Sequence, residues 1–146
     1  ASGIALNGKG YCFAGQSGVG KSTLVDELSH HDKITILGED QVILRKKDGK
    51  FWIYGTPWHE TPERCSPIGV PLERLFFLKK EQKNRISDIT SFDGLTRLMQ
   101  TAFIPYYRTG LTEQILETLD ALSRMIKFKE ISFILGSDVL DLILSA

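Results

Sequence analysis

The sequence is poor in cysteine and carries no excess of charge of either sign. Two cysteines in 146 residues, Cys12 in an apolar run and Cys65 in a polar one, do not make a disulfide framework, so both are expected as reduced thiols. Eighteen basic residues against eighteen acidic ones leave a formal net charge of zero, which excludes a global field drawing the chain to nucleic acid or an anionic membrane. Any phosphate binding must be local. No run approaches the roughly 18 apolar residues of a membrane helix, and no basic stretch followed by an apolar one opens the chain. A cytoplasmic location is expected. Proline is scarce too, and four of the five crowd between Pro57 and Pro71, marking an extended loop there. There is no internal repeat and no low-complexity segment. Ala1 opens the chain without an initiator Met and inside an apolar run, so residues upstream of it are expected.

What is present is ordinary globular material, 42% hydrophobic and 25% charged, in a length that fits a single domain, 1–146. Ser2 to Leu6 and Tyr11 to Ala14 are apolar runs separated by Asn7-Gly8, a hairpin signal because both residues tolerate positive φ. Leu24, Val25 and Leu28 recur at helical spacing from Lys21 to Ser29. Ile34 to Leu37 reads as a buried strand, and Gln41 to Lys46 and Lys50 to Tyr54 as a second hairpin around Asp48-Gly49. Leu72 to Lys79 is a strand, and Lys79 to Arg85 a solvated charged segment. Ser91 caps a helix to Phe103 stopped by Pro105, and a further helix from Thr112 to Ile126 shows Ile115, Leu116, Leu119 and Leu122 on one face. Ile131 to Leu135 is a closing strand, and Ser137 caps a last helix. The fold class is α/β, a mixed sheet with a large antiparallel share and flanking helices.

Between the first hairpin and the first helix stands Gly15-Gln16-Ser17-Gly18-Val19-Gly20-Lys21-Ser22-Thr23, a P-loop of Walker A form. Its glycines let successive N–H groups turn inward at a helix N-terminus, where the dipole favours negative charge. Lys21 reaches the β- and γ-phosphates of ATP, and Ser22 offers a hydroxyl to the magnesium ion bridging them. The preceding apolar strand and following helix are the context the motif requires. Phosphoryl transfer also calls for carboxylates, one to hold magnesium and often one to accept the proton of the attacking hydroxyl. Glu39-Asp40 follows a strand and Gly38, at a strand end where ligands gather in α/β sheets. Both can face the site only if Gly38 permits a bend, since neighbours on a regular strand point to opposite faces. Asp40 is read as the metal partner and Glu39 as the proton acceptor, and the reverse assignment stays open.

The hairpin beginning Ala1-Ser2-Gly3, the loop Gly18-Val19-Gly20-Lys21-Ser22 and the acids in Leu37-Gly38-Glu39-Asp40 resemble the C-terminal catalytic domain of HPr kinase/phosphorylase. The implied fold is similar to the nucleotide half of phosphoenolpyruvate carboxykinase. The resemblance extends through about Gly55, and Gly55-Thr56-Pro57-Trp58-His59-Glu60 looks like small HPr-kinase-like proteins, some of which accompany peptide-modification systems. In the kinase the paired acids are two aspartates, one of them base to the substrate serine and acid in the reverse direction; here the first is Glu39. A histidine commonly precedes the segment matching Ala1-Ser2-Gly3. The phosphorolysis signature has no counterpart, so the resemblance implies a kinase rather than a phosphorylase, with ATP and Mg2+ as cofactors and an oligomeric assembly.

Lesser signals have bland alternatives beside functional ones. Trp58, His59 and Glu60 suit a substrate lid or a plain loop. Glu63, Arg64 and Arg45 suit phosphate or substrate contacts or an ordinary surface. His30 and His31 fit a helix C-terminus, and Tyr106, Tyr107 and Arg108 a helix connection. Three functions remain: an ATP-dependent kinase acting on a serine-like hydroxyl of a protein, peptide or small molecule; a nucleotide-binding regulatory module without transfer; and a carboxykinase-like enzyme, for which the chain is too small. No role with nucleic acid or membrane is expected.

Overall fold

The computed structural model describes every residue except 58–64, 105–106 and 137. The lid candidates Trp58, His59 and Glu60, the residues Pro62, Glu63, Arg64, Pro105 and Tyr106, and the expected cap Ser137 therefore lie outside the described residues.

Strands β1 (Ser2–Leu6) and β2 (Lys9–Ala14) form an antiparallel hairpin in register from Leu6 opposite Lys9 to Ser2 opposite Phe13. Asn7 and Gly8 hold φ of 51° and 76°, the double positive value of a type I′ turn, whose twist matches that of the strands. The same chemistry closes β4 (Val42–Lys47) onto β5 (Lys50–Gly55), with φ of 50° at Asp48 and 74° at Gly49. Helix α1 (Lys21–Ser29) and strand β3 (Ile34–Gly38) lie between the hairpins in sequence.

The organising element is the ten-residue strand β6 (Gly69–Leu78). Its start pairs antiparallel with β5, its middle and end run parallel to β2, and Leu75 to Leu78 also run parallel to β8 (Phe128–Ser132). Strand β7 (Arg85–Asp88) pairs antiparallel with β8. The main path reads β3-β1-β2-β6-β5-β4, a mixed sheet dominated by antiparallel neighbours.

Side chains alternate across a strand, and this period sorts the core into two. Ile4, Leu6, Tyr11, Phe13, Phe76 and Leu78 face one way and are covered by Leu24 and Leu28 of α1 and by Val139 and Ile143 of α4 (Val139–Leu144). Ala5, Cys12, Ala14, Leu75 and Phe77 face the other way. They meet Phe51 and Ile53 of β5, Leu98 of α2 (Ser91–Thr101), and Leu119 and Leu122 of α3 (Thr109–Met125).

Several boundaries differ from the sequence expectation, each for a local reason. Thr90, not Ser91, caps α2: its hydroxyl accepts from the Asp93 N–H at 3.1 Å and donates to the Asp93 carboxylate at 2.7 Å. That helix ends at Thr101 rather than Phe103. Helix α3 starts at Thr109, before the expected Thr112, and Leu116 is 39% exposed rather than on the buried face. Asp138 caps α4, accepting from Asp141 N–H at 3.3 Å. Pro71, expected in a loop, sits in β6 opposite Trp52. The closing strand is shifted to 128–132, because Phe128 and Ile131 are buried while Ile134 and Leu135 are exposed. The charged segment runs into β7 at Arg85, which is exposed as its solvated reading requires.

Candidate functional site

The loop of residues 15–22 leaves the C-terminal end of β2 and enters α1 directly. Gly20 is the N-cap at φ 111°, and Gly18 stands at φ 80°; both values are strained for any residue with a Cβ. The cap supplies no side-chain acceptor and the first turn has no acidic residue, so nothing anionic from the helix itself competes for its N-terminal amides. The Lys21 ammonium folds back over the loop and donates to the carbonyls of Gly15 and Gln16, both at 3.0 Å. The helix is seated by Leu24, Val25 and Leu28, all fully buried, so the loop rests on a fixed support. Ser22 is exposed on the first turn, with Thr23 beside it.

The acidic pair is positioned by an irregularity. Against β1, Gly3 faces Gly38 and Ile4 faces Ile36, so one extra residue is taken up at the end of β3, a bulge of the kind that re-aims side chains. A Cβ on Gly38 would lie 2.7 Å from the Gln41 carbonyl oxygen, so the bend that follows requires glycine. Thr56 Oγ1 donates to that same carbonyl at 2.9 Å, and the Ala1 nitrogen donates to the Asp40 carbonyl at 2.8 Å. The two acids separate: Asp40 is exposed and lines the cleft described next, while Glu39 is half-buried and does not.

A cleft of about 990 Å3 opens here. Its lining includes Gly15, Gln16, Ser17, Lys21 and Asp40 and, from the sheet and helices, Leu44, Phe51, Leu98, Ile115 and Leu122. Burial pushes the Cys12 thiol on the cleft floor up to about 12. Among the described residues no three His, Cys, Asp or Glu side chains converge on a metal-sized point. That donor set does not suit a protein-only metal cage. Of the two expected magnesium partners, Asp40 lines the cleft, whereas Ser22, exposed on the first turn of α1, is not among its lining residues.

The structure is similar to that of the HPr(Ser) kinase/phosphatase from Coxiella burnetii, at a TM-score of 0.52 and 10% identity, over 99% of this chain and 84% of that one. The two share a fold. At that identity the likeness extends to architecture alone. No protein-family model and no curated protein sequence matches the chain. No described helix is long and apolar enough to cross a membrane.

The loop and Asp40 share the cleft with an apolar wall that the sequence does not announce. Leu44, Phe51, Leu98 and Leu119 come from four separate elements and look like ordinary core positions. The one available signal was the apolar stripe of Ile115, Leu119 and Leu122, which covers the cleft as well as the sheet. Arg45 lines the cleft. His30 is the C-cap of α1, and Arg108 the N-cap of α3.

Proposed function

We propose that the chain is an ATP-dependent kinase whose phosphate site is residues 15–23. The reading is carried by one observation: Lys21, poised over the loop carbonyls at a helix N-terminus free of side-chain acceptors, shares a cleft with Asp40. Loop amides and the Lys21 ammonium bind the β- and γ-phosphates, with Lys21 exchanging its two carbonyl contacts for phosphate oxygens. Ser22 and Asp40 hold magnesium, which neutralises charge on the transferring group. The hydroxyl of a serine-like acceptor gives its proton to Glu39, its oxygen forms the new bond to the γ-phosphorus, the bridging P–O bond breaks, and ADP departs. The likeness of fold to a kinase/phosphatase agrees with nucleotide use.

A second reading of the base is favoured by a specific observation: Asp40 lines the cleft and Glu39 does not. Under that reading Asp40 accepts the proton. Asp40→Asn and Glu39→Gln, assayed separately for magnesium-dependent ATP binding and for transfer of label from γ-labelled ATP, tell the roles apart. The base variant keeps nucleotide affinity and loses transfer, whereas the metal variant loses both.

Lys21→Ala is expected to abolish ATP binding by calorimetry while far-UV circular dichroism stays unchanged; equal affinity in that variant refutes the phosphate site. If the wild-type chain binds ATP but labels no acceptor, and Glu39→Gln and Asp40→Asn change nothing beyond affinity, the chain is a nucleotide-binding module instead.

A further inference from the structure

The hairpin of β4 and β5 has features that phosphate binding does not use. Its tip carries Arg45, Lys46, Lys47 and Lys50 against a single acid, Asp48, in a chain whose overall charge is zero. All four cations are exposed, and among the described residues none makes an ion pair. Lys47 rests its ammonium 5.4 Å from the Trp52 ring centre. Lys47 and Lys50 also stand directly opposite each other in the strand register, an arrangement of like charges that destabilises a hairpin. A bound anion would relieve it.

The tip is continuous with the candidate site. Strand β4 ends the sheet path, pairing only with β5 among the described residues, so its other edge offers unpaired N–H and C=O groups. Asp40, Gln41, Val42, Leu44, Arg45 and Lys46 line the cleft in near-unbroken succession. Alternate residues point to opposite faces, so lining by consecutive ones means that the strand presents its edge as well as a face. At about 3.4 Å per residue, the run from Asp40 to Lys46 spans roughly 20 Å, far beyond what a small metabolite reaches from the γ-phosphate.

We propose that the acceptor is an acidic polypeptide segment. It lies extended along the free edge of β4 with its hydroxyl residue at Asp40, an apolar side chain against Leu44 and Phe51, and carboxylates about five to seven residues from the hydroxyl on the cations of the hairpin tip. This rests on the kinase reading of the same cleft and narrows its substrate to a peptide with a spaced acidic patch.

The test uses the whole chain and fluorescein-labelled peptides holding one serine, a leucine four residues from it and three glutamates at the stated spacing, on either side of the serine. Matched peptides carry glutamine for glutamate. Anisotropy is expected to show the acidic peptide of one orientation binding at least tenfold tighter than its glutamine partner, with the advantage shrinking as salt is raised. Arg45→Glu with Lys46→Glu should erase that preference. Lys47→Glu with Lys50→Glu, outside the cleft, should weaken it several-fold and leave ATP affinity unaltered. With γ-labelled ATP and magnesium, label should appear on the acidic peptide first.

Equal binding of acidic and glutamine peptides overturns the proposal even where ATP binds and another acceptor is labelled. Peptide preference without any ATP binding overturns the kinase reading and with it the acceptor role of the tip. A single-stranded oligonucleotide that binds tighter than the acidic peptide, and loses affinity in the same variants, replaces the peptide with nucleic acid as occupant.

Discussion

The two faces of the first hairpin are built from opposite materials. Toward α1 and α4 it presents Ile4, Leu6, Tyr11 and Phe13; toward β5 and α3 it presents Gly3, Ala5, Gly10, Cys12 and Ala14. Large side chains on the first face fill the space to the helices and fix α1, which fixes the glycine-rich loop before it. Small ones on the second let β5 come close, to the point that a Cβ on Gly10 would collide with the Ile53 side chain, and leave volume for the cleft beyond Ala14. One strand pair thus supplies rigidity on one side and room on the other, which a period of two makes possible.

Breaking the sealed face should have the largest effect. Phe13 is fully buried and stacks on Phe76 with ring centres 5.5 Å apart and planes 14° from parallel. Phe13→Ala leaves a void under α1 and is expected to cost about 3–5 kcal/mol, read from the urea midpoint, with nucleotide affinity falling as the loop loses its support. A loss below about 1 kcal/mol would show that the face is not sealed as described.

The same hairpin enlarged on its open side should behave differently. Ala14→Leu adds volume where the cleft can take it, so the expected cost is only about 1–2 kcal/mol. The added atoms enter a cleft that Gly15 and Lys21 also line, however, and affinity for a fluorescent ATP analogue should drop at least tenfold. Unchanged affinity alongside a large stability loss would mean that Ala14 faces packed core rather than the cleft.

How much of this was legible in the sequence follows from how local each feature is. The two hairpins and the glycine-rich loop ahead of α1 are written in adjacent residues, Asn7-Gly8, Asp48-Gly49 and Gly18-Val19-Gly20-Lys21-Ser22, and the structure has the flanking elements within a residue or two of the expected bounds. Strand β7 was not legible, because Arg85-Ile86-Ser87-Asp88 has no apolar period and becomes a strand only through pairing with β8, more than forty residues on. The run Ile131 to Leu135 misled for the converse reason: it is the more apolar stretch, but β6 pairs with the residues that begin at Phe128. The split of Glu39 from Asp40 depends on a bulge against β1 and on the Gln41 carbonyl, neither of which a linear reading contains.

The smallest expected effect is also the most specific probe of the open face. Cys12 lies on the floor of the cleft and is 1% exposed, and burial raises its thiol from an ordinary 9.0 to about 12. A group whose folded pKa is raised holds its proton more tightly in the native state, so its contribution is fully present below about pH 9 and lost as pH climbs toward 12. Wild-type stability measured by urea unfolding should therefore decline across pH 9 to 11 by more than that of Cys12→Ala, while near pH 7 the variant differs only by its small packing change. Thiol reagents at neutral pH should reach the half-buried Cys65 well before Cys12. If Cys12 reacts as fast as Cys65, or if the two alkaline slopes coincide, water reaches the cleft floor and the open face is a solvent channel rather than a dry wall.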